Sequence, residues 1–589
     1  MNQQIMRGLL LSASAAALVF AAVSPAMAGD NDPLLQLLQQ KGVITAEELA
    51  RVENGPAAGQ RDRLVDLLRA KGVLSNSDTA NLSNAPAPSQ AVAQSQIQST
   101  GFSMTPEPIQ MPARVARADR PPVAHTVTVS DSGSDGSLYY ANNTASDTNP
   151  LSFKLGGVSF YPGAMISAAT VIRSTNTGNS IGTSFGAIPF SNVVQGNASE
   201  TRITAGGSIF RLKAITDIGP AHVSAYAEAD FLGNDAANVS VTSNSHTARL
   251  RLAYADATWR GWELLFGQAY GMLTPNRSGL GSDPADIFLS KSIDRNAMPG
   301  VTWTRAAQVR VAYHPNDQWA LAVALENPDQ FVGANEVLFP AAFNAQLGAE
   351  FDAASNPGAP NRTPDVTGKI AFDSSPGSDH NFHAELTGLL TTIHTTIVPT
   401  VGSDFEKRTV VGGGVGAGIN WQVMPKFHFI ANGFYSDGGG RYINGLAPDA
   451  VVVPFHEGAG FSARPSFVRS AAVTTGVEWG IFPGSELDVY YSGAYAARNA
   501  FPDITSVTLP TPIIGFGGTN ESGNSSQNRY VQELSTDFIQ NIWADPSYGV
   551  VQIEAQLAYL QRNPWFVSAG TPVHADLVQS FVELRLLVP

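Results

Sequence analysis

The sequence predicts an all-β protein: a transmembrane antiparallel β-barrel of about 16 strands (16–18), preceded by a small N-terminal helical region and a Pro-rich linker. Three observations predict it. From about residue 125 to the C-terminus, apolar and polar residues alternate with a period of two, in segments often about ten residues long. After residue 28 no run of roughly 20 apolar residues occurs, so no helix is apolar enough to cross a membrane. Charged residues make up 14% of the chain, against roughly 25% in an ordinary soluble domain. An exported chain of this kind is either soluble or a barrel, since inside lipid only helices and closed barrels satisfy the backbone.

The elements follow in chain order. Residues 1–28 read as a secretory signal peptide: Arg7 supplies the positive start, Gly8–Val23 the apolar stretch and Ala26-Met27-Ala28 the small-x-small cleavage site. Residues 29–82 form a helical head of two similar units. Leu34–Thr45 and Leu64–Ser75 align at an offset of 30 with six of twelve positions identical, stopped by Gly42 and Gly72. Such short helices need each other, a partner chain or a surface to bury their apolar face. A small packed cap and a periplasmic contact module both fit. Residues 83–124 are rich in Pro, Gln, Ala and Ser and read as an extended linker.

Residues 125–589 form the body. In Ala221–Phe231, Val223, Ala225, Ala227 and Ala229 alternate with His222, Ser224, Tyr226, Glu228 and Asp230. In Thr247–Tyr254, Leu250, Leu252 and Tyr254 oppose Arg249 and Arg251; in Val301–His314, Val301, Trp303, Val309, Val311 and Tyr313 oppose Gln308 and Arg310. Phe427–Tyr435 and Val550–Tyr559 repeat the pattern. Alternation alone allows a soluble sandwich. Strand length, aromatic residues at segment ends (Trp259, Trp262, Trp319, Trp421, Trp479, Tyr490, Tyr491) and charges confined to one face favour a membrane barrel. A barrel of this size encloses an aqueous channel.

Several chemistries are excluded or find no motif. With no Cys, thiolate metal sites, disulfides and Cys nucleophiles are ruled out. A formal net charge of −14 argues against nucleic acid as a partner. No G-x-S-x-G elbow and no H-E-x-x-H helix is present, so no catalytic residue is assigned, no enzyme is expected, and neither metal nor cofactor is implied. His380 and His383 make only an H-x-x-H on a loop-to-strand segment. Asp131–Asn142 lacks the acids of a calcium loop. Gly412–Gly418 (GGGVGAG) lacks the Lys of a phosphate loop and suits closely packed strands.

Segments within Thr201–Pro328 resemble the DcaP-like trimeric outer-membrane porins: SIFRLKAITDIGPAHVSAYAEADFLG (Ser208–Gly233), ARLRLAYADATW (Ala248–Trp259), ELLFGQAYGMLTP (Glu263–Pro275), RAAQVRVAYH (Arg305–His314) and ALAVALENP (Ala320–Pro328). TPDVTGKIAFD (Thr363–Asp373) and FYSDGGGRYINGL (Phe434–Leu446) also fit. No single piece is diagnostic; their order is. Phosphate-type porins with a helical head are the nearest rival family. The chain departs from the outer-membrane pattern at its end, Leu586-Leu587-Val588-Pro589, where the nearest aromatic is Phe581. The Gly/Asn/Ser-rich Phe501–Tyr530 has no counterpart that can be mapped.

The resemblance implies passive diffusion of small hydrophilic solutes, small anions such as carboxylates being favoured, through a homotrimer in the Gram-negative outer membrane. Outer-membrane lipid and lipopolysaccharide would surround it, and the head would contact peptidoglycan or another periplasmic partner. Another reading is a barrel that anchors the head to the cell wall with little transport. The resemblance sets the polar strand face toward the lumen, with Arg211, Arg249, Arg251, Arg310, Gln308, Glu228 and Asp230 as pore-lining residues. The arginines would form a ladder for anions, or pair with Glu228, Asp230 and Asp256 and only stiffen the wall. The family's inward loop corresponds to Tyr270–Gly300, with Arg277, Asp283, Asp286, Asp294 and Arg295 near the constriction; the residues alone also allow an ordinary exposed loop.

Overall fold

The computed structural model describes residues 151–233, 247–294, 298–333, 336–352, 361–378, 380–444, 447–518 and 527–588. The signal peptide (1–28), head (29–82), linker (83–124) and the opening of the body lie outside the described residues, as does Arg295.

Sixteen antiparallel strands close into a barrel: β1 (Val158–Arg173), β2 (Ile209–Ile218), β3 (Ala221–Asp230), β4 (Arg249–Trp259), β5 (Trp262–Tyr270), β6 (Arg305–Tyr313), β7 (Trp319–Glu326), β8 (Asp365–Asp373), β9 (Phe382–Ile397), β10 (Glu406–Met424), β11 (Phe427–Asp437), β12 (Arg469–Phe482), β13 (Ser485–Ala496), β14 (Asn528–Asp545), β15 (Gly549–Pro564) and β16 (Ala575–Val588). Each pairs with its sequence neighbours, and β1 pairs with β16 from Ala164↔Val588 to Arg173↔Gln579. Closure leaves no open sheet edge, which a lipid-embedded sheet cannot tolerate. The line of β2 is extended by Glu200–Thr204, which also pairs with β1. In the break between them Ser208 Oγ accepts the Ser167 amide at 3.1 Å, replacing a lost ladder bond.

Odd-numbered strands lead into the longer loops and even-numbered strands into short turns. At the short-turn end Arg260 (φ 50°) and Gly261 (φ 80°) both take the left-handed conformation that a tight two-residue hairpin needs. Aromatic pairs cluster at that end: Trp262–Tyr313 and Trp319–Phe372 at 4.8 Å, Phe382–Trp421 at 6.2 Å and Phe427–Trp479 at 6.5 Å between ring centroids. Aromatic rings suit the boundary between hydrocarbon and water.

The barrel is inverted relative to a soluble protein. Its exposed outer face carries Ile172, Leu250, Leu264, Phe266, Val309, Val323, Leu390, Val415, Leu557 and Leu584. The buried inner face carries Glu228, Asp230, Arg310, Lys369, Glu385, Glu478, Asp537, Glu554 and Arg585. Fully removing a Leu or Val side chain from water is worth about 1.5–3 kcal/mol, so this outer face belongs in hydrocarbon. The glycine run sits in β10, where a Cβ at Gly414 would strike the Phe434 ring at 2.7 Å; the missing side chain makes room for that ring.

Loops at the other end build a core of their own. The segment 336–352, with one helical turn (Asn344–Leu347), packs against two hairpins, Ala450–Glu457 with Gly460–Phe467 and Asn499–Pro502 with Ile513–Phe516. Phe343, Leu347, Phe351, Val451, Val452 and Phe516 are buried together there.

Three sequence expectations need correction. The strand expected from Val301 begins at Arg305, because Val301 and Thr302 belong to a loop packed inside the barrel. Leu252 and Tyr254 face inward, not outward: the register slips between Glu228 and Ala229, opposite Arg251, which resets the alternation of β4. Tyr490, expected among the boundary aromatics, is buried inside the barrel, where its hydroxyl donates to Glu478 at 2.8 Å.

Candidate functional site

The candidate site is the barrel interior, where inner-face side chains meet the described residues of the loop that joins β5 to β6, 271–294 and 298–304. That loop touches nearly every sector of the wall. Met272 donates its amide to Glu326 of β7 at 3.0 Å. Lys369 of β8 donates to Thr274 O (2.6 Å), Asn276 Oδ1 (2.7 Å) and Glu385 (2.9 Å). The Gly279 amide donates to Asp373 at 2.9 Å. Arg277 makes a fork with both oxygens of Glu478 on β12, each at 2.8 Å, and lies over the Phe288 ring. Lys291 also reaches Glu478 (3.1 Å) and is paired with Glu486 of β13. The amides of Ile293 and Asp294 donate to Gln556 of β15 at 2.9 and 3.1 Å. Asp294 accepts from Thr183 and from Gln579 of β16. Asp283 closes the circuit on Lys213 of β2 at 2.7 Å.

Electrostatics follow from this placement. Burial disfavours charge on Arg277 and Lys291, but Glu478 beside both overrides it and raises their pKa values. Asp286 has no such partner. Burial, with Asp283 adjacent, pushes its carboxyl up to about 7.

The expected pore-lining residues fall into paired and unpaired groups. Asp230 accepts from Arg249 (3.0 and 2.6 Å) and from Arg251 (3.0 Å). Glu228 takes Arg251 and the Tyr226 hydroxyl, the latter at 2.7 Å. Arg310 is paired with Glu263, which also contacts His314 at 3.1 Å. Gln308 donates to the carbonyls of Ala269 (3.2 Å) and Tyr270 (3.0 Å), fixing the start of the loop. Asp256 joins none of these ion pairs. Arg211, on the inner face of β2, has no ion pair among the described residues, and its buried Nε lacks an acceptor. His383 is buried between Asp373 (3.1 Å) and Glu385 (3.4 Å), and no metal-holding group of three or more His, Asp or Glu occurs among the described residues.

Sequence reading missed two features. A second segment between β11 and β12, described over 438–444 and 447–449, also packs inside the barrel. Thr302 and Ile443 form a β-bridge; the amides of Gly300 and Trp303 donate to Asn444 O (2.7 Å) and Tyr442 O (3.0 Å). Arg441 ties this segment to Asp365, and the Tyr442 hydroxyl donates to the same carboxylate at 2.7 Å. Burial, only partly offset by Arg441, pushes Asp449 up to about 7. The available signal was Gly438-Gly439-Gly440 directly after a strand, with Gly438 at φ 90°. The other omission is Arg305, whose guanidinium lies 5.1 Å from the Trp303 ring centre and whose Nη1 has no acceptor among the described residues.

Neither a protein-family model nor a curated protein sequence matches the chain. Solved structures do. The outer membrane channel DcaP of Acinetobacter baumannii matches with a TM-score of 0.50 at 16% identity, over 74% of this chain and 99% of that one. OprB of Pseudomonas putida matches with a TM-score of 0.39 at 10% identity (73% and 94% covered). An anion-selective porin from Comamonas acidovorans gives 0.37 at 10% identity (73% and 99%). The described body, sixteen strands closed around inward-packed loops, has the fold of the DcaP outer membrane channel.

Proposed function

We propose that this protein is an outer-membrane porin of a Gram-negative cell, through which small hydrophilic solutes diffuse passively. The observation that carries the reading is the inversion of polarity: an apolar belt outside, and a charged interior entered by residues 271–294 and 298–304. No covalent step is needed. The loop bearing Arg277, Asp283, Asp286 and Asp294 acts as the constriction, and the inner faces of β2–β6 line the path.

Small anions such as carboxylates are the favoured solutes, but fewer arginines serve them than the ladder envisaged. Arg249, Arg251 and Arg310 are held by carboxylates of their own wall, so Arg211 and Arg305 supply the attraction.

The assembly is a homotrimer. Ala214, Ala225, Ala227, Ala229, Ala253, Ala255 and Ala257 share the outer face of β2–β4, with Ala225 opposite Ala255 and Ala227 opposite Ala253. So flat a surface lets two barrels approach more closely than the Leu and Phe faces elsewhere.

Liposome swelling tests the reading. Vesicles holding the purified protein should admit small sugars and organic acids; an anchoring barrel with a filled interior would admit neither. Reversal potentials in a salt gradient then test the anion preference. Arg211→Gln with Arg305→Gln should lower the anion-to-cation permeability ratio by about twofold, and no change would assign both arginines to wall structure.

A further inference from the structure

The far wall of the lumen carries buried carboxyl groups that, among the described residues, form no ion pair. Strands β13 and β14 pair so that Asp488 lies directly opposite Asp537, and Ser492 directly opposite Glu533. Directly opposed residues on one face of an antiparallel pair have Cβ atoms about 4.5–5.5 Å apart, and like charges there repel. All four side chains are inward and at most 1% exposed. Neither oxygen of Asp488, Glu533 or Asp537 has a partner within 3.5 Å among the described residues; at longer reach Glu486 acts on Asp488 and Ser535 on Asp537. The hydroxyl of Ser492 has none either, nor has that of Thr474, which faces Ser492 from β12.

The neighbouring cations are already engaged. Lys291 acts on Asp488 but sits between Glu478 and Glu486. Arg585 acts on Asp537 but is bound by Glu554 and Glu583. Among the described residues no cation acts on Glu533. On the facing wall Glu228, Asp230 and Glu263 each hold an arginine. A buried carboxylate left alone is costly, and a cation that joins it removes the cost.

We propose that Asp488, Ser492, Glu533 and Asp537 form a cation-binding site on the β13–β14 wall, beside Met298 of the inward loop, for a small monovalent cation or a primary ammonium group. Met298 Sδ lies 3.9 Å from Ser535 Oγ, which places the loop against this wall. The donors are hard oxygens, suited to alkali ions and ammonium. Asp488–Asp537 and Ser492–Glu533 are two positions about 13 Å apart along the wall, each with at most two acids, and no chelating group of three or more acids or histidines occurs among the described residues, so an occupant of either keeps part of its hydration and can leave. The proposal rests on the channel reading and adds a second class of ion to it. Anions follow Arg211 and Arg305; cations pause on the opposite side.

Planar-bilayer recording at pH 8 in a potassium chloride gradient tests it. The double variant Glu533→Gln with Asp537→Asn should keep the unitary step and lower the potassium-to-chloride permeability ratio by about threefold. Asp488→Asn should lower it too, and it replaces the double variant if that one fails to insert. Propane-1,3-diammonium added on one side should block the wild-type current, with block weakened about tenfold in the variant. A changed ratio without block assigns the site to inorganic cations alone. An unchanged ratio in channels of normal step size overturns the proposal. Retention of radioactive rubidium ion by detergent-purified protein makes the same test without conduction. If the wild type conducts nothing yet retains more rubidium than the variant, the porin reading falls and the site stands; equal retention overturns the site.

Discussion

The two walls of the lumen handle charge differently. On β3–β6 every acid but Asp256 meets a base on the adjacent strand: Asp230 with Arg249, Glu228 with Arg251, Glu263 with Arg310. On β12–β16 the acids outnumber what the strands supply, and part of the balance is lent by the loop that crosses from β5. Arg277 and Lys291 both end on Glu478. The first wall is self-contained and keeps its shape whatever the loop does. The second is complete only while the loop is in place, so the bore and the charge of the channel are fixed by the same few contacts.

Breaking that dependence gives the largest expected effect. Glu478→Ala strips the shared carboxylate from two buried cations at once. Removing one partner of a buried pair costs about 3–5 kcal/mol. The expected outcome is a lower heat-unfolding midpoint, seen as loss of the compact gel form, together with noisy unitary currents as the loop loosens. The same change at Asp230, whose two arginines are partly exposed, should leave the currents quiet; equal noise in both would mean that the two walls are not different in kind.

A somewhat smaller effect separates inside from outside. Val323 lies near the middle of β7 and is 58% exposed on the outer face. Val323→Arg should destabilise the barrel by about 2–4 kcal/mol if that face meets hydrocarbon at mid-depth. Stability in lipid bilayers, measured by reversible denaturant unfolding, reads this out. A negligible change would put Val323 at an interface or in water.

Deleting Gly279–Asp286 removes the Asp283–Lys213 contact and the tip of the loop but leaves Arg277 and Lys291 on Glu478. Unitary conductance should rise about twofold as the narrowest section widens. No rise would place the narrowest section at the second inward segment, 438–449.

The strands were legible because the two solvents of a membrane barrel, hydrocarbon and water, force a strict period of two. That is why Val551, Ile553, Ala555 and Leu557 could be told from Gln552, Glu554 and Gln556 without coordinates. The β4 register was not legible, because a one-residue bulge costs little and leaves no composition signal; Leu252 and Tyr254 look outward by count and are inward by geometry. Nor were the partners of the inward loop legible. Arg277 and Glu478 are 201 residues apart, and nothing local to either marks the pair. The unpaired acids of β13 and β14 were hidden for the same reason. Asp488 and Asp537 each read as one more polar residue on an alternating strand, and only the register sets them face to face.

The smallest expected effect concerns Asp286, on the loop and partly open to the lumen. Burial first, and then the adjacent Asp283, raise its carboxyl from 3.8 to about 7. A raised acid is neutral in the folded protein at pH values where it would be charged in the unfolded chain. Its contribution to stability is therefore complete below about 3.8 and is lost as pH rises through about 7. The charge that appears in that upper range stands in the constriction, where it repels anions. Anion preference should thus fall between pH 6 and pH 8 by less than about twofold, while Asp286→Asn should hold the low-pH preference throughout. Reversal potentials at fixed salt across that range measure it directly. The lumen carries other groups that titrate near neutrality, Asp449 among them, so the decisive quantity is the difference between wild type and Asp286→Asn at pH 8. If the two coincide there, the charge on Asp286 is screened by Lys213 and the pH response belongs to another carboxylate.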